Sequence, residues 1–212
     1  MKKFSFKTTQ KIRKEILTEN KNKDSVFFAG NNNMLISVPH GVSQTRYGKL
    51  KVAEIGTIPL GKLLAETTNS NIIIKTKNNF DDANKDEDCA YRKKMNKLIK
   101  QYNIKYIIDL HSLAKHRPCD VNLGIHLGLN IKKDEQAYDK LVEMLEKDFI
   151  VSIDAPFMAS TGTISGYYAK EFGLWTIQIE TNCKLLVESK EIKRFNQLAN
   201  TLEQWINWLN NR

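Results

Sequence analysis

The sequence predicts a three-layer α/β fold, in which helices cover both faces of a mixed, largely parallel sheet. Two observations support it. Short runs rich in large apolar and β-branched residues predict six strands, at residues 34–38, 72–75, 104–110, 121–127, 149–153 and 175–179. Amphipathic helical patterns separate several of these runs. Strands that alternate with helices in this way are typical of an α/β sandwich.

The spacing of apolar side chains predicts four helices, at residues 60–67, 91–102, 134–147 and 189–210. In the second of them, Met95, Leu98 and Ile99 fall on one side of the helix. A single apolar stripe is what packing against a sheet requires. We expect the last helix to complete the fold at its C-terminal end.

The N-terminal 33 residues are less regular. Residues 4–7 and 26–29 are predicted as short strands, on either side of a Lys/Asn-rich segment at 16–24 that suits a loop or a short helix. With 212 residues, 41% of them hydrophobic, the chain can bury one sizeable core, and no Gly/Ser-rich linker divides it. We therefore expect one domain over residues 1–212.

Composition limits the compartment and the partners. No run of about 18 apolar residues is present, and Lys2-Lys3 is not followed by the apolar stretch of a secretory signal, so we expect a cytoplasmic protein that does not enter membranes. The net charge of +9 fits a solvated face, the steering of an acidic small substrate, or phosphate contacts. Without an RNP-type motif or finger spacing, nucleic acid is not favoured.

Three polar motifs follow apolar runs directly: Val38-Pro39-His40-Gly41, Asp109-Leu110-His111-Ser112 and Gln178-Ile179-Glu180-Thr181. Residues at the carboxyl ends of strands in an open α/β sheet meet in one crevice. Two imidazoles and a carboxylate gathered there predict a hydrolytic metal site. Asp109 is a candidate to orient His111 by a hydrogen bond.

A catalytic zinc site needs three protein ligands and an open position, so a carboxylate should join His40 and His111. Glu54 precedes a helical segment and suits either that role or a solvent-facing position near a helix start. Glu180 ends a buried run, where desolvation raises the pKa of a carboxyl towards that of a general base. The alternative for Glu180 is an ion pair with a lysine such as Lys184.

Candidate substrate-binding residues are Arg46, Asn84 and Arg117. A guanidinium can hold a carboxylate through two parallel hydrogen bonds, and both arginines lie in loops that leave the histidine motifs. An exposed surface position is the alternative for each arginine. Asn84 suits either a hydrogen bond to a substrate carboxylate or a cap on the following turn.

At these motifs the chain resembles the N-formylglutamate amidohydrolase family, a branch of the zinc-carboxypeptidase-like superfamily. Their order along the chain is the family's order, and Glu54-Ile55-Gly56-Thr57 is similar to an element of phage poly-γ-glutamate hydrolases. The resemblance implies one zinc ion per chain, bound by His40, Glu54 and His111, with Glu180 as general base.

The chain also departs from the family pattern at two places. Carboxypeptidases have the metal-binding glutamate three residues after the first histidine, where this chain has Ser43. Family members often have an Asn-Arg pair for a substrate carboxylate, and here Asn84 is followed by Lys85. These departures leave the third ligand and the substrate open.

The leading hypothesis is a zinc-dependent amidohydrolase that cleaves an amide of an N-acylated acidic amino acid, or a γ-glutamyl or peptide bond. The alternative is a non-catalytic basic module on the same fold that binds nucleic acid or another polyanion.

Overall fold

A computed structural model describes residues 4–212, and residues 1–3 lie outside the described part. The strands of the main sheet are β1 (Ser25–Phe28), β2 (Met34–Val38), β5 (Asn71–Lys75), β6 (Tyr106–Leu113), β7 (Val121–Gly124), β8 (Val151–Ile153) and β9 (Trp175–Asn182). A separate hairpin is formed by β3 (Gln44–Arg46) and β4 (Lys49–Lys51).

The main sheet has the spatial order β1-β5-β2-β6-β9-β7-β8. Its centre is parallel, because β2 pairs with both β5 and β6, and β6 pairs with β9. The antiparallel pairs are β1 with β5 and β7 with β9, and β8 joins β7 in parallel. The prediction of a mixed, largely parallel sheet is therefore confirmed.

The α-helices are α1 (Phe6–Glu19), α2 (Thr57–Thr68), α3 (Ala90–Gln101), α4 (Glu135–Leu145), α5 (Ile164–Phe172), α6 (Cys183–Val187) and α7 (Ile192–Asn210). They cover both faces of the sheet. Side chains alternate between the faces of a strand, so Ile72 and Ile74 pack in the core beneath α2 and α7, whereas Ile73 packs with α3 and α5. The predicted three-layer sandwich is confirmed.

The N-terminal prediction was partly wrong. Residues 4–7 are not a strand, because Ser5 caps helix α1: its hydroxyl accepts a hydrogen bond from the Thr8 amide at 3.1 Å. The helix runs through part of segment 16–24 and ends at Glu19, before a turn. At the other end of the chain, a 3-10 turn over Ser189–Glu191 precedes α7, so the predicted final helix begins three residues late.

Across residues 4–212, no helix has both the length and the apolar character that crossing a bilayer requires.

Gly56, at the start of α2, lies against Leu186 of α6. A Cβ atom at position 56 would overlap the Leu186 side chain and lie 3.1 Å from its backbone. We expect Gly56→Ala to lower the free energy of unfolding by about 1–3 kcal/mol, because the two helices must separate. Gly162→Ala is the control, since a Cβ there meets no atom within 4 Å. Equal denaturant-unfolding curves for the two variants would contradict this prediction.

Candidate metal centre

Because β2, β6 and β9 are parallel neighbours, the candidate site residues that follow or end them lie at the same end of the sheet. His40 follows β2 by two residues, and His111 lies two residues before the end of the neighbouring strand β6. In the register of β6 with β9, His111 lies directly opposite Glu180. Both histidines are 2% exposed and Glu180 is 5% exposed, so the groups meet in a largely dry environment.

Three side chains form a compact donor group. One ligand atom each from His40, Glu54 and His111 lies within 4.8 Å of the other two. Glu54 Oε1 is 2.7 Å from His40 Nδ1, Glu54 Oε2 is 3.4 Å from His111 Nδ1, and the two Nδ1 atoms are 3.2 Å apart. The structure therefore brings together the three residues that the sequence suggested as ligands.

The backbone explains how Glu54 reaches this position from far along the chain. The hairpin of β3 and β4 leaves after His40 and returns, and the Glu54 amide donates to the His40 carbonyl at 2.9 Å. The Ser112 amide donates to Glu54 Oε2 at 2.8 Å, which fixes the carboxylate beside His111. The hairpin lies between His40 and Glu54 in the chain, and Ser43 directly precedes its first strand.

Two buried aspartates orient the imidazoles. His40 Nε2 is 2.8 Å from Asp82 Oδ1, and His111 Nε2 is 3.0 Å from Asp109 Oδ2. An ionised carboxylate only accepts hydrogen bonds, so each imidazole donates from Nε2 to its aspartate, and its Nδ1 faces Glu54. Asp109 thus makes the contact expected from the sequence.

This arrangement attracts positive charge. Burial lowers the pKa of His40 and His111, but the facing carboxylates outweigh that effect and raise both, His111 strongly. Burial acts to raise the pKa of Glu54, and the two imidazoles overcome it and lower the value to about 2. The two Nδ1 atoms lie 3.2 Å apart and both face the Glu54 carboxylate, an arrangement that favours a cation between them. Two imidazole nitrogens and a carboxylate oxygen fit zinc, which prefers such donors.

Glu180 has the environment of a base. Burial, followed by the neighbouring charge of Glu54, raises the pKa of Glu180 to about 7, although His111 opposes this rise. Gln178 Nε2 donates to Glu180 Oε1 at 2.9 Å and fixes the orientation of the carboxyl. A carboxylate with a raised pKa accepts protons more readily than an exposed one.

Asp82 was not predicted as a site residue, although Asn84, two residues further on, was predicted to bind the substrate. Arg46 Nε donates to Asp82 Oδ2 at 2.5 Å, so the arginine holds the aspartate that orients His40. Asp82 Oδ1 also accepts from the Asn84 amide at 3.0 Å. The Asn84 side chain is fixed in turn, because its Oδ1 accepts from the Ile164 amide at 2.8 Å. No local sequence pattern marks Asp82 as a partner of His40.

The donor group lies in an open cleft of about 820 Å³. Arg46 and Asn84 line this cleft, as the sequence suggested. Arg117 does not: it is exposed and lies outside the lining. Its hydrogen bonds within residues 4–212 are made by its backbone, whose carbonyl accepts from Asn182 and whose amide donates to the Ala114 carbonyl. The cations that line the cleft besides Arg46 are Lys51, Lys85 and Lys115.

The fold and its donor group define a class: the chain has the fold of the zinc-carboxypeptidase-like hydrolases, with a His/Glu/His group that could bind a metal at the carboxyl ends of its strands. No protein-family model matches the sequence, and no significant match to a curated protein was found. The likeness to solved structures is therefore one of fold.

Three solved structures illustrate it. N-formylglutamate amidohydrolase from Ralstonia eutropha is 13% identical, with a TM-score of 0.59 over 89% of this chain and 97% of that chain. A metallo-carboxypeptidase from Pseudomonas aeruginosa is 13% identical, with a TM-score of 0.55 over 87% of this chain and 59% of that one. A bacteriophage poly-γ-glutamate hydrolase is 12% identical, with a TM-score of 0.51 over 89% and 92% of the two chains. The resemblance stated from the motifs is confirmed at the level of fold.

Asp82→Asn tests the orientation of His40. The amide presents a donor or a weaker acceptor to Nε2 and breaks the ion pair with Arg46, so we expect zinc affinity to fall about 10- to 100-fold. Competition with a chelator of known affinity measures it. Asp88→Asn removes an aspartate that is 94% exposed and serves as the control. Unchanged affinity in Asp82→Asn would show that the aspartate does not support the site.

Proposed function

We propose that this protein is a zinc-dependent amidohydrolase that cleaves an amide of an N-acylated acidic amino acid, or a γ-glutamyl or peptide bond. The observation that carries the proposal is the convergence of the His40, Glu54 and His111 donor atoms beside the buried carboxyl of Glu180, inside an open cleft. The solved hydrolases that share the fold support this reaction class.

The proposed reaction adds water across the amide, so that the C–N bond breaks and a carboxylic acid and an amine form. Zinc held by the donor group would supply Lewis acidity to the scissile carbonyl. Glu180 would accept a proton from the attacking water and transfer it to the leaving nitrogen. Gln178 keeps the Glu180 carboxyl in place by its hydrogen bond.

A carboxylate on the amine side of the substrate would meet Asn84 and Lys85. Because the Asn84 carbonyl oxygen is occupied by the Ile164 amide, the orientation of its NH₂ group is set, and that group has no hydrogen-bond partner within residues 4–212. Lys85 lines the cleft beside it and adds positive charge. Arg46 contributes charge too, but Asp82 already accepts from its Nε.

Glu180→Gln tests the base. The amide cannot accept the proton, so we expect hydrolysis of N-formyl-L-glutamate to fall about 10²- to 10⁴-fold while about one zinc per chain is retained. The His40→Ala/His111→Ala double variant, analysed by metal content, should lose that zinc. Full activity of Glu180→Gln would exclude Glu180 from the reaction. A wild-type chain that takes up no zinc, and binds nucleic acid with a steep salt dependence, would favour the polyanion-binding alternative.

Lys85→Gln tests recognition of the acidic amino acid. We expect the KM for N-formyl-L-glutamate to rise about tenfold, since a charge-assisted hydrogen bond is lost, with a smaller change in kcat. Arg117→Gln removes an equal charge outside the cleft and should leave KM unchanged. Steady-state kinetics of the two variants separate local recognition from net charge. The same KM in both variants would contradict a role for Lys85.

A further inference from the structure

A second cavity of about 370 Å³ lies beside the cleft that contains the donor group. The two cavities share four lining residues, Ile55, Gly56, Leu186 and Val187. Gly56 lies against Leu186, so the shared residues form an edge along which the two cavities adjoin. A substrate longer than a formyl group that passes this edge would enter the second cavity.

Arg13, on helix α1, lines this second cavity. Its Nη2 donates to the Gly41 carbonyl, next to His40 in the chain, at a long 3.4 Å. Its Nε is buried from solvent and has no hydrogen-bond partner within residues 4–212. Within residues 4–212 the guanidinium forms no ion pair, and no acidic side chain lines the cavity. A half-buried guanidinium with donors to spare favours an anion.

The second cavity and the Asn84 side of the cleft lie beside opposite faces of the sheet. Asn84 is held by the first residue of α5, which packs in the core with α3. The second cavity borders the start of α2 and α6, which pack in the other core. With the amine-side carboxylate at Asn84, as proposed above, the acyl side of an amide bound at the donor group would be directed towards Arg13.

We propose that the second cavity is an acyl-side subsite, in which Arg13 binds a carboxylate carried by the acyl group. The preferred substrates then have an anionic group on each side of the scissile amide, as a dicarboxylic or acidic-peptide acyl group on an acidic amino acid provides. This inference rests on the proposed hydrolase function and narrows its substrate class.

The test compares N-succinyl-, N-glutaryl- and N-adipoyl-L-glutamate with the same compounds in which the distal acyl carboxylate is a carboxamide. For at least one chain length, we expect wild-type kcat/KM to favour the carboxylate by about tenfold or more, mainly through KM. Arg13→Gln should reduce this ratio to about one, and Arg13→Lys should keep part of it.

Lys14→Gln is the matched control, because it removes the same charge from an exposed position on the same helix, and it should keep the wild-type ratio. Thermal unfolding and zinc content of each variant identify a folding defect. A wild-type ratio near one at every chain length, or an Arg13→Gln ratio equal to that of wild type, would overturn the subsite.

Calorimetric binding of the same compounds to the zinc-loaded Glu180→Gln protein separates this inference from the proposed function. One outcome would retain the subsite and refute the amidohydrolase. In it, Glu180→Gln binds the carboxylate compounds more tightly than the carboxamides, the Glu180→Gln/Arg13→Gln protein loses this preference, and the wild-type protein hydrolyses none of the compounds. Hydrolysis of the amides by wild type, with no preference for carboxylate in either binding or kinetics, would retain the enzyme and refute the subsite.

Discussion

The site depends above all on the register of β6 with β9. That register sets Asp109 opposite Gln178 and His111 opposite Glu180. Alternation along β6 directs Leu110 into the apolar core on the other face. A slip of one residue would exchange the faces, so that His111 entered the apolar core and Leu110 entered the cleft. Burial of the apolar residues of β6 therefore holds the register, and the register positions His111 and Glu180.

Within this frame, charges are balanced by short contacts between buried groups. Each imidazole has a carboxylate on its Nε2 side and shares Glu54 on its Nδ1 side. Asp82 is in turn neutralised by Arg46. Removing one member would leave a buried polar group without its partner, which costs about 1–3 kcal/mol or more for a charged group. The network holds the nitrogens close together, and this proximity makes the centre receptive to a cation.

The sequence predicted the parts of the site that have local signals. Apolar runs that end in polar motifs predicted the strands that carry His111 and Glu180, and the segment that follows β2 and carries His40. The hairpin of β3 and β4 has three-residue strands and escaped prediction, because runs this short give no periodic signal. Asp82 contacts His40 across 42 residues, a distance at which no pattern in one sequence reports a contact.

Arg13 was not predicted as a site residue, because the sequence pattern did not indicate helix α1. Phe4 and Phe6 alternate with polar residues as in a strand, and the helix buries only Thr9 and Ile16 among its residues, so its apolar stripe is weak. With residues 4–7 interpreted as a strand and residues 16–24 as a loop or a short helix, Arg13 had no place near the motifs. Only the tertiary packing of α1 against α2 brings its guanidinium to the Gly41 carbonyl.

The net charge that would attract a substrate differs from the individual groups that would recognise it. A net charge of +9 draws any anion towards the protein and so does not distinguish an acidic metabolite from nucleic acid. Among the described residues that line the cleft, the only acidic side chains are Glu54, which belongs to the donor group, and Glu180, which lies beside it. Arg46 is paired with Asp82, whereas Lys51, Lys85 and Lys115 form no ion pair within residues 4–212. Recognition requires donors at fixed positions, and the proposed substrate contacts are made by Asn84 and Arg13, which contacts with the backbone hold at two separate points.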